Sequence, residues 1–208
     1  MQDSERLKKQ LDFLLEIDRL KNIYRRTYIL GDTDLIDGKE VSHPPRKEND
    51  AEHSFHLALF AMILCEYSNS PVDILRVIKM VLIHDLVEIY AGDTYCYDKE
   101  GNKSKRSREL AAADKLFGIL PEDQCAEIRG LWDEFEETAT PESKFANCLD
   151  RIQPMLLNYT RDGISWKEHD VQYSDVIGRN EASACGSEEL WEHIKPLIDD
   201  AHERGLLH

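Results

Sequence analysis

Apolar positions recur along this chain at spacings of three and four, and no stretch sustains an alternation of period two. That pattern predicts helices rather than a sheet. Leu7, Leu11, Leu14, Ile17 and Leu20 form one face of a first helix that ends around Arg25-Arg26. Residues 31–45 interrupt the pattern with glycine, proline and aspartate and read as an excursion, with Asp37-Gly38 suited to the tip of a short hairpin. Asn49 followed by Glu52 is a capping-box signature. It opens a second helix whose face carries His53, His56, Leu57, Phe60, Leu64 and Tyr67. A third helix opens at Ser70-Pro71 and runs through Ile74, Leu75, Ile78, Val81, Leu82 and Leu86 until Gly92.

Asp93 to Asn102 reads as a loop, followed by a helix from about Ser104 to Leu120 that Pro121 stops. Ile128, Leu131, Trp132 and Phe135 mark the next helix, and Thr140-Pro141 caps one carrying Phe145, Leu149, Ile152, Leu156 and Tyr159. Ser187 and Gly205 bracket the last. Trp132, Trp166 and Trp191 read as core or interface. No linker or break in composition divides the 208 residues. The expectation is a single-domain, all-α bundle with its core in 7–160 and C-terminal helices over 161–208.

Charge and cysteine usage narrow the class. The net charge is −15, from 41 acidic and 26 basic residues, which repels a polyphosphate backbone and weighs against a nucleic-acid polymer as partner. The five cysteines are scattered and form no C-x-x-C pair, as expected in a reducing compartment. The first residues have no basic-then-apolar signal pattern, and the longest mostly apolar run, Phe55 to Cys65, is interrupted by His56 and too short to span a bilayer. These features predict a cytoplasmic protein without a membrane association.

One segment does not fit a purely structural reading. In Val81-Leu82-Ile83-His84-Asp85-Leu86-Val87-Glu88-Ile89, three titratable residues sit inside an apolar run. Burying such groups without partners costs several kcal/mol, and a divalent metal compensates a His-Asp pair. Adjacent helical positions point about 100° apart, so His84 and Asp85 share an ion only at the edge between their directions. Glu88, four residues from His84, projects toward the same place. His53, on the apolar face of the second helix, and Asp150, beside the stripe of Phe145, Leu149 and Ile152, are the other candidate ligands. Two imidazoles and two carboxylates suit one divalent transition metal, Mn, Co, Fe, Ni or Zn, better than magnesium or calcium.

His53, His84-Asp85 and Asp150 together resemble the H…HD…D pattern of the HD superfamily of metal-dependent phosphohydrolases. The likeness extends to Arg46-Lys47-Glu48-Asn49-Asp50-Ala51-Glu52-His53, to Leu86-Val87-Glu88 with Ala91-Gly92-Asp93, and to Phe145-Ala146-Asn147-Cys148-Leu149-Asp150-Arg151. It covers roughly residues 7–160 and is similar to the branch containing bacterial 5′-deoxynucleotidases and HD domain-containing protein 2. The resemblance implies an all-α fold and a homodimer that hydrolyses nucleoside 5′-monophosphates with one metal and a metal-activated water. It implies His53, His84, Asp85 and Asp150 as ligands, Glu88 as the catalytic acid/base, Asp93 at the sugar end and Arg25 as a substrate-binding arginine; Arg46 or Lys47 is a further candidate to assist at the phosphate. Arg26 stands where the nucleotidases carry a tryptophan against the sugar, which leaves selection between deoxyribose and ribose open. No histidine lies between Asp85 and Asp150, unlike two-metal HD phosphodiesterases. Hydrolysis of nucleoside triphosphates or of another phosphate ester is the enzymatic alternative, and a non-catalytic, metal-stabilised nucleotide- or protein-binding module the alternative of another class. The basic run Lys103–Arg108 reads as a solvated helix start that can also reach an anionic substrate.

Overall fold

The computed structural model describes residues 2–31 and 33–208. Helix α1 (Gln2–Ile17) runs into a 3₁₀ turn at Asp18–Asn22, and the chain then turns extended as β1 (Tyr24–Ile29). Arg25 and Arg26 therefore lie on a strand and not at the end of the first helix. β1 pairs antiparallel with β4 (Arg46–Asn49). The excursion between them is the hairpin the Asp37-Gly38 pair predicts, with β2 (Thr33–Ile36) against β3 (Lys39–Ser42). Asp37 and Gly38 both adopt positive φ, 52° and 74°, as the two central residues of a type I′ turn must. The rest of the chain is helical.

Asn49 ends β4 and caps α2 (Asp50–Leu64), and the full capping box with Glu52 forms. The buried stripe of α2 is Asp50, His53, Ser54, Leu57, Ala58 and Ala61. His56, Phe60, Leu64 and Tyr67 are only half-buried. α3 (Ile74–Ile83) starts later than Ser70 predicts, because Asp73 accepts from Leu75 N and Arg76 N. It also stops well short of Gly92. Tightened i→i+3 bonds such as Leu86 N to Ile83 O and Glu88 N to Asp85 O carry the chain to the short α4 (Glu88–Ala91). α5 (Lys99–Phe117) starts earlier than expected, because Asp98 caps it through Glu100 N and Gly101 N.

α6 (Glu122–Glu137) and α7 (Pro141–Thr160) follow as predicted, the latter with Thr140 and Ser143 in a capping box and Pro154 inside it. α8 (Ile164–Glu168), α9 (Tyr173–Asn180) and α10 (Glu188–Glu203), capped by Ser187, complete the chain.

Three apolar clusters hold these elements. Leu86, Val87, Leu116, Phe117 and Trp132 form one, and Leu57, Val77, Met80, Phe145 and Leu149 another. The third, with Ile152, Trp166, Val176, Ile194 and Ile198, ties α8–α10 to α7. The leucine stripe expected to face the core from the first helix does so only at its end: Leu7, Leu11 and Leu14 are each half exposed or more, whereas Leu20 is buried, Ile17 packs against the first cluster, and Phe13, outside the expected stripe, is buried too. Periodicity reports an apolar face without saying what covers it.

Candidate metal centre

The cluster assembles from three elements. His53 sits one turn into α2, His84 at the end of α3, and Asp150 midway along α7. Their ligand atoms all lie within 4.8 Å of one another. Asp150 Oδ1 stands 3.0 Å from His53 Nε2 and 3.5 Å from His84 Nε2. Asp85 joins from the side, with Oδ2 3.1 Å from His84 Nε2 and 3.9 Å from His53 Nε2. The break after Ile83 makes room for this pair. In a tightened turn the His84 carbonyl is released from the helix ladder, and the buried indole N–H of Trp132 donates to it at 3.1 Å.

Hydrogen bonds decide the tautomers. Gln153 Nε2 donates to Glu48 Oε1 at 2.8 Å and to His56 Nδ1 at 3.1 Å. Its amide is thereby oriented, and Oε1 must accept from His53 Nδ1–H at 3.0 Å. His84 Nδ1–H donates to Val81 O at 2.9 Å. Each imidazole is thus bonded through Nδ1 to an oxygen and turns Nε2 inward. Oxygen acceptors of this kind fix ring orientation in metal sites and raise ligand basicity. His84 Nε2 is buried and has no hydrogen-bond partner. Lone pairs of imidazole nitrogen and carboxylate oxygen facing one another repel unless a cation or proton lies between them, so the donor set fits a divalent metal.

Titration behaviour points the same way. Burial, followed by the charge of Arg25, lowers His53 to about 4. Burial opposes a charge on His84 too, but Asp85 and Asp150 outweigh it and push that ring up to about 10. Burial works against the charge of Asp150, but the two neighbouring histidines hold it well below the usual carboxylate range. The cluster draws one positive charge into its centre.

A cavity of about 210 Å³ opens over the cluster. Asp85, Glu88, Asp93 and Asp150 line it, together with Arg25, Arg26 and Thr27 from β1. Consecutive strand residues normally alternate between faces. Here pairing slips between Tyr24↔Asn49 and Tyr28↔Lys47, and such a bulge re-aims side chains. Arg25 Nη1 donates to Asp85 Oδ2 at 2.6 Å and lies 3.4 Å from Asp50 Oδ1. Its other groups approach Glu48 and Asp150 at 4.0 and 3.9 Å. Glu88 is buried with Oε2 unpartnered. Burial, then the nearby Asp85, Asp50 and Asp93 carboxylates, raise it well above an ordinary glutamate. Burial likewise raises Asp93.

Arg46 lies elsewhere: its guanidinium is engaged with Glu52, and it does not line this cavity. From the basic run, Lys105 reaches the cavity, while Arg108 holds the loop before α5 by bonds to Ala91 O and Thr94 Oγ1. Several lining or supporting residues have no role that the sequence assigns, although Glu48 and Asp50 stand within the segment that resembles the HD family. Gln153 and Glu48 lie under His53, Asp50 lies beneath Arg25, and Trp166 and Arg179 come from the C-terminal helices. A polar residue at an apolar position of α7, as Gln153 is, is the one cue the pattern offers.

Comparison with known proteins places the chain. The model of the HD domain matches residues 17–191, beyond the stretch in which the motifs lie. 5′-Deoxynucleotidase HDDC2 of Xenopus laevis is 30% identical over 149 residues, covering 72% of this chain and 67% of that protein. The human 5′-deoxynucleotidase HDDC2 is 27% identical over 171 residues, 81% of this chain and 77% of that protein. A crystal structure of a predicted metal-dependent phosphohydrolase from Magnetospirillum magnetotacticum MS-1 superposes with a TM-score of 0.85 at 43% identity, covering 98% of this chain and 96% of that one.

Proposed function

The chain belongs to the HD domain family and is a metal-dependent phosphohydrolase; from that premise we propose that it removes the 5′-phosphate of nucleoside monophosphates with a single divalent transition metal. The observation that carries this reading is the cluster itself: two imidazoles committed through Nδ1, with both Nε2 atoms turned to Asp150 at the base of a cavity that Glu88 overlooks.

His53, His84, Asp85 and Asp150 would hold the metal. Bound there, it supplies Lewis-acid polarisation of a phosphoryl oxygen and lowers the pKa of a coordinated water toward neutrality. Mixed imidazole and carboxylate donors favour Mn, Co, Fe, Ni or Zn. Glu88 is the one buried carboxyl group facing the cavity with an oxygen free of partners among the described residues, and it moves the proton between water and the departing sugar 5′ oxygen. Arg25 offsets the charge of four surrounding carboxylates. Asp93 and Arg26 line the cavity on the nucleoside side, with Arg26 setting sugar preference.

Phosphate release from a panel of ribo- and deoxyribonucleoside monophosphates, with Mn²⁺ or Co²⁺ added, tests this. Turnover of monophosphates, falling about 10²–10⁴-fold in Glu88→Gln with metal content retained, is the expected result. Wild-type turnover in that variant removes Glu88 from the mechanism. Release of triphosphate from nucleoside triphosphates, without monophosphate turnover, selects the other phosphohydrolase reading. Nucleotide binding with no release from either class selects the non-catalytic module.

The same reading includes a cytoplasmic homodimer that does not bind nucleic-acid polymers, in keeping with five unpaired cysteines and a charge of −15. No helix among the described residues is long and apolar enough to cross a membrane. Leu7, Leu11, Leu14, Phe55, Leu59, Met62 and Leu82 are exposed apolar side chains, and Leu14, Ser54 and Leu82 line one groove. Exposed apolar side chains gathered at one groove suit an interaction site, and a second copy is the occupant the family resemblance implies. Light scattering on the wild type and on Leu14→Lys decides it: a dimer converted to a monomer is expected.

A further inference from the structure

Arg25 is the arginine the sequence motif points to, yet its charge is already spent. Glu48, Asp50, Asp85 and Asp150 lie within 4.0 Å of its nitrogens, and Asp85 accepts its shortest hydrogen bond. A phosphate dianion approaching Arg25 meets those carboxylates as well.

Arg179 has the opposite surroundings. It occupies the last turn of α9, which Val176 and Asn180 anchor beside the third apolar cluster, with Asn180 Nδ2 donating to Val176 O at 2.9 Å. Its side chain keeps 31% of its surface open and lines the same cavity as Asp85, Glu88 and Asp150. Among the described residues, no group accepts a hydrogen bond from it. The nearest carboxylate oxygen is Asp150 Oδ2, 3.9 Å from Nη2. Asp150 turns its other oxygen, Oδ1, to the two histidines. A single carboxylate therefore separates an unspent five-donor guanidinium from the metal-binding nitrogens. A guanidinium presents a planar fork matched to phosphate oxygens. Asn180 follows in the same cavity wall, buried, with Oδ1 unpartnered.

We propose that Arg179, contributed by the C-terminal helices and outside every recognised motif, receives the phosphoryl group of the substrate, forking onto its oxygens across Asp150 from His53 and His84. This rests on the phosphohydrolase reading above. The residue touches substrate and does not act through Asp150.

Inorganic phosphate, the product common to monoester substrates, is the probe. Its binding to the Mn²⁺-loaded wild type, Arg179→Met and Arg179→Lys is measured by calorimetry, alongside Mn²⁺ affinity, thermal midpoint and steady-state turnover. A charge-assisted hydrogen bond is worth about 1.5–3 kcal/mol, so phosphate affinity is expected to fall about 10–100-fold in Arg179→Met. Arg179→Lys should recover part of that loss, with Mn²⁺ affinity and thermal midpoint unchanged in both. Unchanged phosphate affinity in Arg179→Met overturns the proposal. So does a loss of Mn²⁺ affinity equal to the loss of phosphate affinity, which would make Arg179 a support for Asp150. Should the wild type hydrolyse no monophosphate yet bind phosphate through Arg179, the subsite stands and the substrate assignment falls. Turnover that is intact and indifferent to Arg179 does the reverse.

Discussion

On the floor of the cavity, Gln153 links Glu48, His56 and His53, and each polar atom of its amide has a committed partner. The outer wall carries Arg26, Lys105 and Arg179, which face the same space, with Lys105 3.4 Å from Glu109 and Arg179 no nearer than 3.9 Å to Asp150. The floor buries its polar groups, whereas the wall stays partly open to solvent, and the two resolve their charge differently. The floor commits its donors and leaves the inward His84 Nε2, with Glu48 Oε2 and Asp50 Oδ2, unpartnered, a surplus of acceptors suited to a cation. The wall leaves Arg179 without a hydrogen-bond acceptor among the described residues and so remains open to an anion. Preorganised polar groups are costly to place and effective once placed, and here the two halves of that cost are borne by different elements: α2, α3 and α7 below, β1, α5 and α9 above.

The sharpest way to break the comparison is at the junction. Asp150 touches both imidazoles and faces Arg179. Asp150→Ala is expected to lose bound metal on dialysis and to lower turnover by more than the roughly 100-fold that supporting residues cost; metal analysis and phosphate release measure this. Next comes the floor. Gln153→Leu frees His53 Nδ1 and strands Glu48 and His56, so metal affinity should fall about 10–100-fold. Thermal stability should drop with it, by about 1–3 kcal/mol for the buried groups left unpaired. Metal affinity unchanged in that variant would show that the floor does not preorganise the site.

The charge preference of the floor has a pH signature. Without metal, His84 is raised to about 10 by Asp85 and Asp150 in spite of burial. A folded-state value above that of the unfolded chain contributes stability that is full below about pH 6.5 and is lost as pH rises through about 10. Metal requires the neutral ring, so its binding at neutral pH displaces a proton and its affinity rises about tenfold per pH unit toward that value. Calorimetric titration in buffers of different ionisation enthalpy reads the proton directly. The smallest effect belongs to the rim: Lys105 is paired with Glu109 at 3.4 Å. Lys105→Ala should raise KM only about threefold, an effect that shrinks with added salt because it acts through a screened charge.

Much of the fold and of the metal centre is legible in the chain itself. The capping boxes at Asn49 and Thr140 act through groups three residues apart, so helix starts can be read locally. The hairpin at Asp37-Gly38 depends on two positive-φ residues, which the dipeptide itself favours. The HD pattern singles out His53, His84, Asp85 and Asp150, and the fold brings His53, His84 and Asp150 together with Asp85 at their side. What stays hidden is whatever depends on a distant partner. β1 reads as the end of a helix because Arg25-Arg26 shows no alternation, and only pairing with residues 46–49 makes it a strand. The third helix reads as continuous because nothing local stops it at His84. Trp132, 48 positions along the chain, takes the released carbonyl. The Leu7–Leu14 stripe reads as core-facing because periodicity does not say what lies opposite.

By itself, then, the sequence determined the helical class, the hairpin and the helix starts at Asn49 and Thr140, since each rests on interactions within a few residues, while the family pattern singled out the candidate metal ligands. The tertiary structure alone decided which arginine is neutralised and which is left open, which nitrogen of each histidine faces inward, and that α9 reaches the cavity at all. Those outcomes depend on groups from separate elements meeting at hydrogen-bonding distance, and no spacing along a single chain segment encodes such a meeting.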